Sequence, residues 1–217
     1  VHYGGGNATL AESDLLVEDV GEAGFFRKVG APLGVRSGAI ANNKMTASSV
    51  HGNNWHHYGP YRGRLYGGAP GGSWLATNQR AGEWLQIDLG KVRPVGGIAT
   101  QGRQGTSQFT TRYFVRYAKV GNDWRTYEEN KKARIFQGNF DGQTAVSHVF
   151  REPILARYIR VVVQQFNSWP ALRVELYSVS DESTDPGGQA LGISTGKLAV
   201  SAFQASSAHG NNWNYYG

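Results

Sequence analysis

The stretch Ala47–Gly68 reads ASSVHGNNWHHYGPYRGRLYGG and sets Trp55, His56, His57, Tyr58, Tyr61 and Tyr66 among glycines and asparagines. These residue types allow three kinds of recognition. Aromatic faces stack on the C–H faces of sugars, a Trp/Tyr pair can wedge into a bilayer headgroup layer, and a Trp can anchor in a groove of a protein partner. A membrane wedge calls for protruding apolar residues with few polar neighbours. Here Asn53, Asn54, His56 and His57 interleave the rings, which suits hydroxyl recognition better. The competing structural reading is that Trp55 and Tyr58 fold back onto the module and close the loop. His51, His56 and His57 offer imidazoles to a transition metal. Adjacent histidines in such a stretch lack the supporting groups that orient metal ligands, which weighs against a metal. A pH-sensitive ligand contact fits them better.

Thr100-Gln101-Gly102-Arg103 forms a second candidate, entering the stretch Gln104–Thr111. Arg103 is a planar group with five donors, suited to a carboxylate, a sulfate or a vicinal hydroxyl pair. An internal salt bridge to a loop carboxylate is the alternative. Gln108 and Thr110 are placed to line the same loop. Catalysis finds little support. Gly72-Ser73-Trp74 lacks the flanks of a nucleophile elbow, no pair of carboxylates is readable from spacing, and Gly67–Gly72 is glycine-rich without the following Lys-Ser/Thr of a phosphate loop. The chain is expected not to be an enzyme.

The elements that must hold these residues are short strands. Glu83–Gly90 (EWLQIDLG) alternates, with Leu85, Ile87 and Leu89 on one face and Trp84, Gln86 and Asp88 on the other. Pro94–Gln101, Arg112–Val120, Ala133–Gln137, Ala145–Phe150, Leu155–Gln164 and Ala171–Ser178 follow as further strands between Gly/Asn/Asp turns. Ala47–Gly68 fits neither a helix nor a strand period and reads as a long loop held by that scaffold. Thirty glycines, a single Met and 12% aromatics agree with an all-β, loop-rich chain. Arg157, Arg160 and Arg173 alternate within strands and read as structural, with Glu175 as a partner.

Charge is unevenly placed. Residues 31–178 carry 19 basic and 8 acidic side chains, a net of +11, while residues 1–30 and 179–217 are acidic on balance. That points to an acidic partner: an acidic glycan, an anionic headgroup or nucleic acid. Nucleic acid is disfavoured, because no helix–turn–helix, zinc-finger or stacking-sheet signature accompanies the arginines. There are no cysteines, so disulfides and thiolate chemistry are excluded. No apolar run approaches the roughly 18 residues of a membrane-spanning helix. Asn7-Ala8-Thr9 is a lone glycosylation pattern.

The chain also repeats itself. Leu191–Gly217 aligns with Leu33–Gly59 at an offset of 158 residues without gaps, and 14 of the 27 positions are identical, including His209–Trp213. The expected organisation is a semi-ordered lead-in over 1–30, one complete module over 31–178, a linker over 179–189 and the truncated start of a second module over 190–217. Self-association through that truncated piece is one consequence.

Leu33-Gly34 with Gly38, TASS, EWLQIDLG, ATQGR, YFVRYAKVGNDW, FQGNFD, PILARYIR and ALRVELYS follow one another in this order. On these motifs the chain resembles the discoidin family, also called the coagulation factor V/VIII type C domain. The resemblance implies an eight-stranded antiparallel jelly-roll β-sandwich with its binding loops grouped at one end. It implies an extracellular, non-catalytic module that binds glycans, phosphatidylserine membranes or collagen. The Trp55 loop then corresponds to the family's first and most variable binding loop, and Arg103 to an arginine of the ligand site in collagen-binding relatives. Asn139 matches a structural pattern. Phe166 and Asn167, in the last loop Gln165–Pro170, correspond to ligand contacts, whereas Trp169 before Pro170 reads as a packed anchor. The family usually closes its termini with a disulfide at positions that here are Gly30 and Val179. Some relatives bind calcium through loop oxygens, which the few loop acids here do not support, so no cofactor is expected. The resulting expectation is a lectin-like adhesion module using Trp55, His56, His57, Tyr58, Tyr61, Arg103, Gln108, Phe166 and Asn167. The alternatives are an anionic phospholipid surface or an extracellular matrix protein as partner.

Overall fold

The computed structural model describes residues 17–19, 26–67 and 72–180. The glycosylation pattern at Asn7, most of the lead-in, the linker beyond Ser180 and the repeat Leu191–Gly217 lie outside the described residues. The described chain is built almost wholly of strands: β1 Val17–Asp19, β2 Phe26–Pro32, β3 Met45–Ala47, β4 Trp74–Leu75, β5 Trp84–Gln101, β6 Phe109–Ala118, β7 Arg125–Thr126, β8 Glu128–Glu129, β9 Lys132–Ala133, β10 Phe136–Gln137, β11 Val146–Asn167 and β12 Ala171–Val179. The named strand pairs are all antiparallel, in the order β1-β2-β12-β5-β11-β6-β10, with β3 on β5, β4 on β12, β7 on β6 and a separate β8–β9 hairpin.

Two long strands make this a sandwich. The first half of β5 pairs with β3 and with the second half of β11 (Trp84↔Val162, Ile87↔Ile159), and β6 extends that sheet from the other side of β11. The second half of β5 pairs instead with β12 (Val174↔Thr100, Leu176↔Ile98) and with the first half of β11 (His148↔Ile98). Both strands therefore bend and serve two sheets. β5 turns through the exposed run Gly90–Val92, where Gly90 has φ +78°, a left-handed conformation that glycine adopts without strain. β11 turns where its register with β5 shifts between Val149 and Ile154. The sequence reads four short strands here. Each strand runs on through its bend, with a register shift in the β5–β11 pairing there, so there are two long ones. The expected strand Ala133–Gln137 is interrupted instead, with Arg134 and Ile135 between β9 and β10.

The core lies between the sheets. Leu85, Ile87 and Leu89, predicted from alternation to share one face, are all buried with Ile98, Tyr113, Val115, Phe136, Phe150, Ile159, Val161, Val163, Leu172, Val174 and Leu176. Each fully buried aliphatic side chain stabilises the fold by about 1.5–3 kcal/mol relative to exposure. Between the terminal strands, Val179 pairs with Val29 and Tyr177 with Pro32. A Cβ at Gly30 would lie 2.3 Å from both Ser178 Oγ and Val179 O. Backbone pairing with glycine contact thus holds together the two positions where the resembling family places a disulfide.

Candidate functional site

Three connections meet at one end of the sandwich: the stretch after β3, the β5–β6 loop and the β11–β12 loop. The first is rooted by a buried carboxylate. Glu83, 2% exposed, accepts from Ser48 Oγ at 2.5 Å, Ser49 Oγ at 2.6 Å, Asn78 Nδ2 at 2.9 Å and Arg80 Nε at 3.1 Å. Burial pushes its carboxyl up, but the four donors outweigh burial and hold it below its ordinary value. The Trp74 indole donates to Ser49 O at 2.9 Å and Thr77 Oγ1 to Val50 O at 2.6 Å, so the residues leading into the loop are fixed from three sides.

Beyond that root the stretch is not an open loop. It winds through a 3-10 turn at His51–Asn53, a single α-turn α1 at Trp55–Tyr58 and a second 3-10 turn at Pro60–Arg62. Each turn is too short to show a helical period, which is why the sequence reads as irregular. Asn54 caps α1, its side chain accepting from His57 N at 3.1 Å. Gly59 closes the turn, because a Cβ there would lie 2.3 Å from Trp55 O. The His56 carbonyl accepts from Arg62 Nε at 2.8 Å and Tyr61 Oη at 3.4 Å.

This winding separates the candidates. Trp55 is 54% exposed, and His56 and His57 are exposed with their rings edge-on at 5.1 Å. Tyr58 is half-buried, with the His51 ring edge-on at 5.3 Å and the Arg103 guanidinium 5.1 Å from its centroid. Tyr61 packs against the core beneath them. His51 also meets Trp169 edge-on at 4.9 Å, and the Trp169 indole donates to Ala76 O at 2.6 Å, a packed anchor.

Arg103 engages its own loop. Its Nη1 donates to Gln108 Oε1 at 2.6 Å and its N–H to Gln108 O at 2.9 Å, so the loop closes on itself around that pair. Thr110 is buried and donates to Ala171 O at 3.1 Å, which places it in the scaffold. Asn167 is exposed and donates to Ser107 O at 2.7 Å, joining the third connection to the second. Phe166 is half-buried against the core in register with Thr110. The structure thus brings Arg103 into contact with both Tyr58 and Gln108, adds Asn167 through Ser107, shows Trp55, His56 and His57 to solvent, and turns Tyr61 and Phe166 towards the core.

Two residues outside the sequence-derived candidates shape the same end. Arg173, 3% exposed, donates to Gly102 O and Gly142 O, each at 2.7 Å, and so clamps the β5–β6 loop to the loop that follows β10. Glu175, expected as its partner, accepts from the backbone N–H groups of Val35 and Arg36. In the loop after β10, Asn139 donates to Thr100 O and Thr144 O, and Asp141 accepts from Gln143 N, Thr144 N and Thr144 Oγ1. These bonds, led by the Thr144 hydroxyl, hold the Asp141 carboxyl below its ordinary value. Between them Phe140 is 69% exposed. Its position between two turn-forming residues is the one sequence signal for it, and that signal reads as scaffold.

Chemically, this end offers exposed ring faces, imidazoles and an oriented guanidinium–amide pair. Among the described residues no three His, Asp or Glu side chains cluster as metal ligands.

The pattern of the F5/8 type C domain matches residues 44–176. Lactadherin of Mus musculus is 37% identical over 150 residues, which cover 67% of this chain and 32% of that protein. Coagulation factor V of Sus scrofa is 36% identical over 151 residues, covering 67% of this chain and 7% of that protein. The chain therefore spans a third or less of the length of these curated relatives. Among solved structures, discoidin II of Dictyostelium discoideum superposes with a TM-score of 0.55 at 25% identity, covering 65% of this chain and 57% of that one.

Proposed function

The chain belongs to the F5/8 type C domain family, and from that premise we propose that it is a non-catalytic, extracellular binding module whose loop end recognises the hydroxyl groups of a carbohydrate. The observation that carries this reading is the Arg103–Gln108 pair set against the Tyr58 ring beside the exposed Trp55. The Gln108 amide fixes the orientation of the Arg103 guanidinium, a planar fork whose shape matches vicinal oxygens. An exposed indole close by supplies a stacking face for the sugar ring. His56, His57 and Asn167 extend the polar rim. The repeat Leu191–Gly217 supports a tandem arrangement, in which two weak sites linked at short range gain avidity by effective concentration.

A second reading, an anionic phospholipid surface, is favoured by one observation. Trp55 and Phe140, the latter in the loop that packs on Gly102 and Arg103, are both more than half exposed. Binding to a glycan array and to phosphatidylserine vesicles, at about 0.05 M and about 0.5 M salt, separates the two, since charge-driven lipid binding collapses at high salt. Salt-tolerant glycan binding lost in Trp55→Ala and Arg103→Gln supports the lectin reading. Vesicle binding without glycan binding overturns it.

A further inference from the structure

We propose that the solvent face of the β3–β5–β11–β6 sheet carries a second ligand site, for the sulfate groups of an anionic polysaccharide, centred on Arg116 and Arg160. The inward positions of these strands are buried (Leu85, Ile87, Tyr113, Val115, Ile159, Val161), so alternation turns Trp84, Gln86, Asp88, Arg112, Phe114, Arg116, Tyr158 and Arg160 outward. Arg160 is in register with Gln86 on one side and with Arg116 on the other. Two like charges directly opposite each other across a ladder destabilise a sheet. No carboxylate among those outward strand positions relieves them. Asp88 is the only acidic residue there, and it is taken by Arg157 at 2.8 and 3.0 Å and by Lys44 at 3.1 Å.

The site is also rigid. The Arg160 guanidinium lies between two indoles, 4.1 Å from the Trp84 centroid and 3.8 Å from that of Trp124, and its Nε donates to Gln86 Oε1 at 2.7 Å. Among the described residues its terminal N–H groups make no further bond, and the side chains of Arg116 and Arg112 make neither hydrogen bond nor ion pair. Three guanidinia on one face, one of them fixed and none neutralised, match repeated anionic groups that accept two parallel hydrogen bonds each.

The same geometry chooses among polyanions. Arg160 already stacks on one face of Trp84 and one face of Trp124, so those faces are not open to a nucleobase. Trp84, Phe114 and Tyr158 are half-buried on strands, and Trp124, in the β6–β7 connection, is half-buried against Arg160, so none is raised to enter a bilayer. A sulfated polysaccharide needs only the guanidinium forks. The face is centred on the mid-strand pair Arg160–Arg116 and uses none of the loop-end side chains, so it stands or falls independently of that site.

Immobilised heparin is the probe, with desulfated heparin, a double-stranded DNA oligonucleotide and phosphatidylserine vesicles as competitors. Arg116→Gln and Arg112→Gln are each expected to bind heparin about tenfold more weakly, the size of one lost charge-assisted contact. Lys91→Gln removes the same charge from the exposed bend of β5 and is expected to change binding less than about twofold. Arg112 is exposed, so its variant keeps the test readable if Arg116→Gln folds poorly. Equal loss in all three variants, equal binding of desulfated heparin, or displacement by DNA or vesicles at lower concentration than by heparin itself would overturn the proposal.

Discussion

Replacing Glu83 by glutamine tests how the loop end is held. Ser48 and Ser49 donate to one carboxylate oxygen, while their own hydroxyl oxygens accept from Trp84 N at 2.9 Å and Thr77 N at 3.0 Å. A glutamine must therefore present its amide N–H₂ either to the two hydroxyls, which then lose the acceptor they donate to, or to Asn78 and Arg80, which are donors. In either orientation one side of the cluster loses its charge-assisted bonds. Two buried charge-assisted bonds are worth about 1.5–3 kcal/mol each. The Arg80 side chain is 72% exposed and adds little. With partial retention, the expected loss is about 3 kcal/mol, or roughly 6–12 °C in Tm for a domain of this size. The Glu83 carboxyl is held below its ordinary value in the folded state, so its contribution is present above the unfolded value of about 4.3 and is lost as pH falls through the folded one. The gap between wild type and Glu83→Gln should thus be full at pH 7 and narrow in acid, measured by calorimetry across the pH range. A variant melting within about 1 °C of wild type at pH 7 would refute the reasoning. So would a gap that persists unchanged in acid.

Trp169→Phe deletes the 2.6 Å bond from the indole to Ala76 O and should cost about 1 kcal/mol in urea unfolding, with a weakened loop-end affinity. Asp88→Asn releases Arg157 and Lys44, so the urea midpoint should fall modestly while retention on heparin rises. Because Arg157 holds the Asp88 carboxyl well below the usual carboxylate range, that difference in midpoint should vanish as pH falls through it. Gly59→Ala places a methyl 2.3 Å from Trp55 O and should disrupt α1, abolishing glycan binding while the sheet, read by far-UV circular dichroism, stays intact.

Much of the fold is legible in the residues alone. Alternation in Glu83–Gly90 identifies the inward set Leu85, Ile87 and Leu89, and the ordered motifs identify the sandwich class. The continuity of β5 and β11 is not legible, because Gly90 and Pro94 carry the composition of a turn while the strand runs on through a register shift. Nor are the helical turns of Ala47–Gly68, since four residues capped by Asn54 show no period. Arg103 and Gln108 can be placed in one loop from sequence, but not their mutual bond or the Tyr58 contact, nor the brace on that loop from Arg173, whose partners are carbonyls of two distant loops. Such partners leave no mark in residue spacing.

Tryptophan indole N–H signals offer the most direct test of the loop-end site. Trp55 and Trp169 belong to the loop end, Trp84 and Trp124 flank Arg160 on the outer sheet face, and Trp74 is in the core. On titration with a glycan that the array retains, the Trp55 signal should move most and that of Trp169 less, while Trp84 and Trp124 stay fixed. A Trp55 signal that stays fixed while Trp84 and Trp124 move would contradict the assignment of carbohydrate recognition to the loops.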